Sequence, residues 1–231
     1  MRWFKRNGRA LVNAALAVLI VALYITTTTP VAQSAVSELY NSPIYRGQRE
    51  GVIGLECAVS WDAEALPAIL TVLREKNARI TFLVSGDFAA DNPNIIAELL
   101  RDGHELGTMG STPFFDGNRK AVTADIERSL ATIQRVSGIR PVLYYSGTRD
   151  TAISAKAAAW LHITHILCTV DLLSARGDAQ DILTRALDQP FDGSILLLQP
   201  TAQALRALPA ILDGLREQGF TVAPVSETLK K

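Results

Sequence analysis

Four aspartates in this 231-residue chain stand just after apolar runs or in the loops beyond them: Asp62, Asp116, Asp150 and Asp171. Carboxylates gathered this way can shuttle protons, and a pair held about 5 to 9.5 Å apart can hydrolyse a glycoside without a metal. Their competing use is local. Asp62 and Asp150 each precede a helical pattern, the place of an N-cap, and Asp116 lies in the turn-like stretch Phe114–Gly117. Asp171 ends an apolar run directly after Val170, so its side chain is expected either to satisfy a neighbouring amide or to face a cleft. Of the three histidines, His104 and His165 fall at strand beginnings and His162 at a helix end, none placed to join a metal site. No histidine accompanies a strand-end serine, and G-x-S-x-G, G-x-G-x-x-G and P-loop patterns are absent. Cys57 and Cys168 lie in apolar runs with no metal-ligand spacing. Buried free thiols are expected, with a disulfide as the alternative in an exported chain.

The elements that must position these groups repeat one rhythm from Gly51 onward: a short apolar run, a helical pattern, a Gly or Asn stop. The apolar runs are Val52–Ala58, Ile80–Ser85, Glu105–Thr108, Val142–Tyr145, Ile166–Val170, Ser194–Leu198 and Thr221–Ala223. Between them, Ala65–Arg74, Pro93–Arg101, Val122–Val136, Thr151–Leu161, Asp178–Leu187 and Ala202–Gln218 carry apolar residues at i, i+3 and i+4. Asn92 and the stretch around Thr123 are the expected caps of two of these helices, and Gly103, Gly138 and Gly219 the expected stops. Strands alternating with helices of this length imply βαβ units and a parallel sheet. Seven units fit a barrel or an open doubly wound sheet, and in both the functional surface lies at the C-terminal ends of the strands.

Composition divides the chain further. The formal net charge is zero, yet every charge in the first 35 residues is basic: Arg2, Lys5, Arg6 and Arg9. Setting those four apart leaves 19 basic against 23 acidic residues, a mildly acidic body that argues against nucleic-acid binding. Residues 1–9 read as a cytoplasmic basic segment, 10–29 as a signal anchor or signal peptide, 30–50 as a linker and 51–231 as the folded domain. Basic residues before the span place the domain outside the cytoplasm, on a single-pass membrane anchor. Cleavage after Ser34 is the alternative and would release a secreted protein.

Several stretches, in order, resemble the polysaccharide deacetylase family, the NodB-type homology domain of carbohydrate esterase family 4. Arg79–Ser85 (RITFLVS) is similar to that family's K-A-T-F-F-V, and Asn92–Gly107 (NPNIIAELLRDGHELG) to its N-P-x-L-V-x-x-I-x-x-x-G-H-E-I-G. Gly138–Leu143, Gly193–Leu198 and Ala207–Leu229 resemble its later motifs. The resemblance spans about Gly51 to Leu229 and implies a distorted (β/α)7 barrel, an α/β fold. It also locates losses. The motif T-F-D-D-G-P falls on Glu56–Trp61, so the catalytic-base Asp becomes Ala58 and a metal-binding Asp becomes Val59. The two metal histidines fall on Met109 and Pro113, the arginine of R-P-P-Y on Tyr145, and the late histidine and its Asp on Gln199 and Pro200. The first Asp of D-x-x-D-W is kept as Asp171, with Ser174 and Ala175 replacing the rest. Cys57–Leu70 is more like a V-A-W-G-E-E-Y-L-P-x-I-L variant found in sporulation-associated members, with Trp61 on its tryptophan.

The expectation is therefore a membrane-anchored pseudoenzyme, with no catalytic residues, no metal and no cofactor, that binds cell-wall glycan or an envelope or sporulation partner. Trp61, Asp62, Tyr144, Tyr145 and Asp171 are the candidate glycan-binding residues, although adjacent Tyr144 and Tyr145 must point to opposite faces of a strand. An active deacetylase with relocated catalytic groups and a structural scaffold are the alternatives.

Overall fold

Val52–Val59 (β1) is buried at every position, as a strand flanked on both edges and covered on both faces must be. The computed structural model describes residues 16, 17, 19, 20, 42–59, 64–112, 115, 117–188 and 190–230. The chain separates into two units, residues 1–42 and 43–231. In the first, residues 16, 17, 19 and 20 are helical, and the rest of the expected anchor lies outside the described residues. Among the described residues no helix is long and apolar enough to cross a membrane.

The second unit is a parallel sheet wrapped by helices. β1 is followed by helix α1 (Leu66–Glu75), β2 (Thr81–Val84), α2 (Gly86–Asp91), α3 (Pro93–Arg101), β3 (Glu105–Thr108), α4 (Arg119–Ser137) and β4 (Leu143–Tyr145). Then come α5 (Thr151–Trp160), β5 (Thr164–Ile166), β6 (Val170–Asp171), α6 (Ala179–Leu187), β7 (Ile195–Leu198), α7 (Ala202–Glu217), β8 (Thr221–Ala223) and α8 (Val225–Thr228). The strand order is β5-β4-β3-β2-β1-β7-β6, with β8 joined to β1 beside Val52–Gly54. Every named pairing is parallel.

The expected (β/α)7 barrel is thus a curled half-barrel of eight strands. The apolar run Ile166–Val170 divides in two because its amides find different partners. Leu167 N–H donates to the Ile44 carbonyl, and Thr169 N–H to that of Ile195. Residues preceding the sheet bridge the two sides: Ile44 pairs with Ile166 and Arg46 with Ser194. Gly47 N–H donates to Gly193 O at 2.7 Å.

Helix starts follow local chemistry, with two departures from expectation. Asn118, rather than the stretch around Thr123, caps α4 by accepting from Ala121 N–H, while the Thr123 hydroxyl donates to the Arg119 carbonyl. Asn92 makes no side-chain cap, its amide donating back to the Phe88 carbonyl. Asp150 caps α5 as expected, at 2.8 Å from Ile153 N. The short helix α2 was not expected; Ser85 caps it by accepting from Phe88 N–H.

Two hydrophobic layers result. On the helix side, Ile53, Leu55, Cys57 and Val59 of β1 pack with Leu70, Leu99 and Leu208. On the axis side, Ala58, Leu83, Met109, Leu143, Ile195 and Leu197 pack together. Each fully buried Leu or Ile contributes about 1.5–3 kcal/mol.

Gly193 has φ +75°, and a Cβ there would collide with the Gly47 carbonyl. Gly193→Ala is expected to destabilise the domain by roughly 2–4 kcal/mol, combining left-handed strain and steric overlap. A lowered urea midpoint at unchanged slope checks this.

Candidate functional site at the mouth of the half-barrel

Parallel register assigns a face to every strand residue. Asp171 pairs with Leu197, Leu197 with Glu56, Glu56 with Thr81 and Thr81 with Glu105, so these five share the axis-facing side. Ala58 lies on the same side two residues further along β1, at the mouth, and Val59 turns to the helix side. Met109, after β3, packs against Ala58 and Leu83. Methyl, isopropyl and thioether groups therefore occupy what a divalent ion would need as carboxylate and imidazole, and they do not fit it. The loop between β6 and α6 is spent on backbone bonds. The Ser174 hydroxyl accepts from Gln199 N–H at 2.6 Å, and Thr201 Oγ1 donates to the Ser174 carbonyl at 2.7 Å.

Below Ala58 sits Glu56, fully buried, with neither carboxylate oxygen bonded among the described residues. Burial, and then the charge of Glu105, raise its pKa from 4.5 to about 8. Cys168 and Tyr145 lie within its electrostatic reach: burial first, then Glu56 and Asp171, push the Cys168 thiol up to about 12. The Tyr145 phenol is also raised, by burial and then by Cys168, Glu56 and Asp171. Asp171 is exposed, and one of its oxygens accepts from Leu173 N–H at 2.8 Å. Both expectations for it hold together, a local bond and an axis-facing position. Cys57 is buried and Cys168 half-buried, and both are free thiols.

Tyr144 does not belong to this site. It is fully buried on the opposite face, between β4 and helices α4 and α5, because alternate residues of a strand change sides. Behind it runs a polar cluster with little sign in the sequence. Asp125 and Arg149, both almost fully buried, form an ion pair at 3.5 Å. Arg149 donates to the Met109 and Thr112 carbonyls at 2.8 and 2.6 Å, and Asp125 accepts from the Ser111 and Thr112 amides. The pair clamps residues 109–112, the segment onto which one of the metal histidines aligns. Gly110, at φ +89°, passes so close that a Cβ would strike the Asp125 carboxylate.

One expectation about histidine is corrected here. His165 Nε2 stands 2.8 Å from the hydroxyl of Ser146, a strand-end serine, although 19 residues separate them. Both side chains are buried behind β4, away from the mouth, and burial holds the His165 pKa down to about 4. His104 is likewise kept neutral by burial, near 4, and its Nδ1 accepts from Ile80 N–H. Trp61, Asp62, Pro113 and Asp116 lie outside the described residues. Just beyond residue 63, a groove of about 410 Å³ at the ends of β1 and β7 is lined by Glu64, Ala65, Ala68, Pro200, Thr201, Ala202 and Leu205.

Comparison with known proteins agrees with this architecture. Residues 52–159 match the polysaccharide deacetylase family. The solved structure of wild-type BA3943 from Bacillus anthracis, a carbohydrate esterase family 4 (CE4) pseudoenzyme, superimposes with a TM-score of 0.77 at 25% identity over 82% of this chain and 69% of that one. The fold is that of the polysaccharide deacetylases. YlxY, an uncharacterized protein of Bacillus subtilis, is 23% identical over 197 residues, which cover 83% of this chain and 61% of YlxY. A peptidoglycan-N-acetylglucosamine deacetylase of Bacillus cereus is 25% identical over 179 residues, covering 73% and 84%. Within this domain, the parts that the sequence did not reveal are Glu56, Asp125 and Arg149. Only the placement of Glu56 in an otherwise apolar strand signalled the first.

Arg149→Met leaves the Asp125 carboxylate buried beside exposed Arg128 alone. It is expected to cost roughly 3–5 kcal/mol by thermal denaturation, against under about 1 for Arg128→Met. Glu56 sets a pH signature. Its folded pKa lies above its unfolded value, so its contribution is intact below about pH 4.5 and is lost as pH rises towards 8. The histidines act in the other sense, since depressed folded pKa values make stability rise between pH 4 and 6.5. Glu56→Gln should abolish the decline between pH 6.5 and 8, a difference on the order of 1–2 kcal/mol in urea titrations.

Proposed function

We propose that this protein is a catalytically inactive polysaccharide deacetylase-like module, held outside the cytoplasm by an N-terminal membrane anchor, that binds cell-wall glycan at the half-barrel mouth. One observation carries the loss of catalysis: the axis at the ends of β1 and β3 is filled by Ala58, Met109 and Leu83 packed together. With those side chains in place the ends of β1 and β3 offer no ligand to a cation that would activate water. Glu56 has the raised pKa of a general acid but is fully buried beneath the mouth. A form of BA3943 described as a mutant with restored enzymatic activity keeps the same fold, with a TM-score of 0.77 at 24% identity to this chain, which supports separating this fold from its chemistry.

The glycan reading rests on the groove beside Glu64 and Thr201, which adjoins in sequence Trp61 and Asp62, and on Tyr145 and Asp171 at the mouth. The purified full-length chain, incubated with acetylated chito-oligosaccharide or peptidoglycan and zinc or cobalt, is expected to release no acetate. Metal-dependent release contradicts inactivity. Retention of the chain on insoluble peptidoglycan, lost in Trp61→Ala, supports glycan binding; retention by neither protein favours the scaffold reading.

A further inference from the structure

Every axis-facing strand position of the sheet carries an acid, a hydroxyl, a glycine or a hydrocarbon; none is Lys, Arg or His. Glu105 is satisfied locally, its carboxylate accepting from the Thr81 hydroxyl and the Ser226 N–H, but the other two acids are less so. Glu56 has no bonded partner on either oxygen among the described residues, and its surroundings lead outward through Cys168 and Tyr145 to exposed Asp171. Asp171 and Glu56 flank Leu197 in register, which sets their Cα atoms about 9–10 Å apart, two strand spacings. Only one Asp171 oxygen is bonded among the described residues, to Leu173 N–H. Arg185 touches Asp171 through its carbonyl, not its carboxylate.

We propose that this mouth selects the primary ammonium of a de-N-acetylated amino sugar, taken by the Asp171 carboxylate and the Tyr145 hydroxyl above buried Glu56. The inference rests on the glycan reading and adds the chemical form of the sugar. An ammonium brings three donors and a positive charge to a site rich in acceptors, whose axis-facing strand positions carry no cation and whose neighbouring Arg185 bonds the Asp171 carbonyl, not its carboxylate. An N-acetyl group brings one neutral N–H and an acyl group, so it makes at most one weaker hydrogen bond to the acids. A dication suits the site less, because among the described residues no three His, Cys, Asp or Glu side chains are grouped to hold one. Glu56, protonated below about pH 8, adds a polar group beneath the ammonium rather than a charge. The other titratable groups within reach, Glu105, Cys168 and Asp171, add no positive charge.

The test compares two probes on the full-length chain in detergent at pH 6: the glucosamine tetramer and the N-acetylglucosamine tetramer. One charge-assisted contact at a partly exposed site predicts roughly tenfold tighter binding of the first. Asp171→Asn, which keeps an acceptor for Leu173 N–H, should remove that preference, whereas Glu217→Gln, an exposed acid at the end of α7, should leave it. Equal binding of the two tetramers overturns the ammonium inference and leaves the glycan reading standing. A preference that survives Asp171→Asn also overturns it, as general attraction of a polycation to an acidic body. Binding of neither probe overturns both.

Discussion

β1 is paired at every position, with β8 at Val52–Gly54, with β7 at Gly54–Cys57 and with β2 at Glu56–Val59. A strand held this way cannot slip by one residue without moving its whole apolar set from one layer to the other. That register fixes Ala58 and Glu56 on the axis and Val59 and Cys57 against the helices. The neighbouring strands inherit their faces from it, so the contents of the mouth are decided by the pairing of one central strand.

From that constraint follows a division of labour among the polar groups. The hydroxyl of Ser174 and the ion pair of Asp125 and Arg149 are consumed in holding the loops at the C-terminal ends of β3, β6 and β7. Removing either charge of a buried pair is costly even when forming the pair gains little, so these residues act as position-setting parts. Among the described residues, the groups left facing the axis with unspent capacity include Glu56, Asp171 and the Tyr145 hydroxyl. The molecule thus combines a hydrogen-bonded rim with a mouth that is largely apolar and carries acids.

Strand and helix existence was legible because period-2 and period-3.6 patterns are local properties, and β1, α3 and α7 occur close to where the spacing placed them. Boundaries that depend on remote partners were not. Ile166–Val170 reads as one strand, yet its amides are divided between Ile44 and Ile195, which are far apart in sequence. The start of α4 moved because Asn118 competes successfully for the cap. At the site, Asp171 and the opposition of Tyr144 and Tyr145 were visible, since strand alternation alone implies them. The Ser146 and His165 contact was hidden by a separation of 19 residues, and the clamp of Asp125 and Arg149 by one of 24, because neither pair shares a motif.

The loss of the cation site is the claim most directly open to measurement, by calorimetric titration of zinc into the purified full-length chain. The account predicts no saturable uptake in the micromolar range, because hydrocarbon side chains fill the ends of β1 and β3. One equivalent of zinc taken up tightly, with acetate release from an acetylated glycan following the metal occupancy, would contradict it.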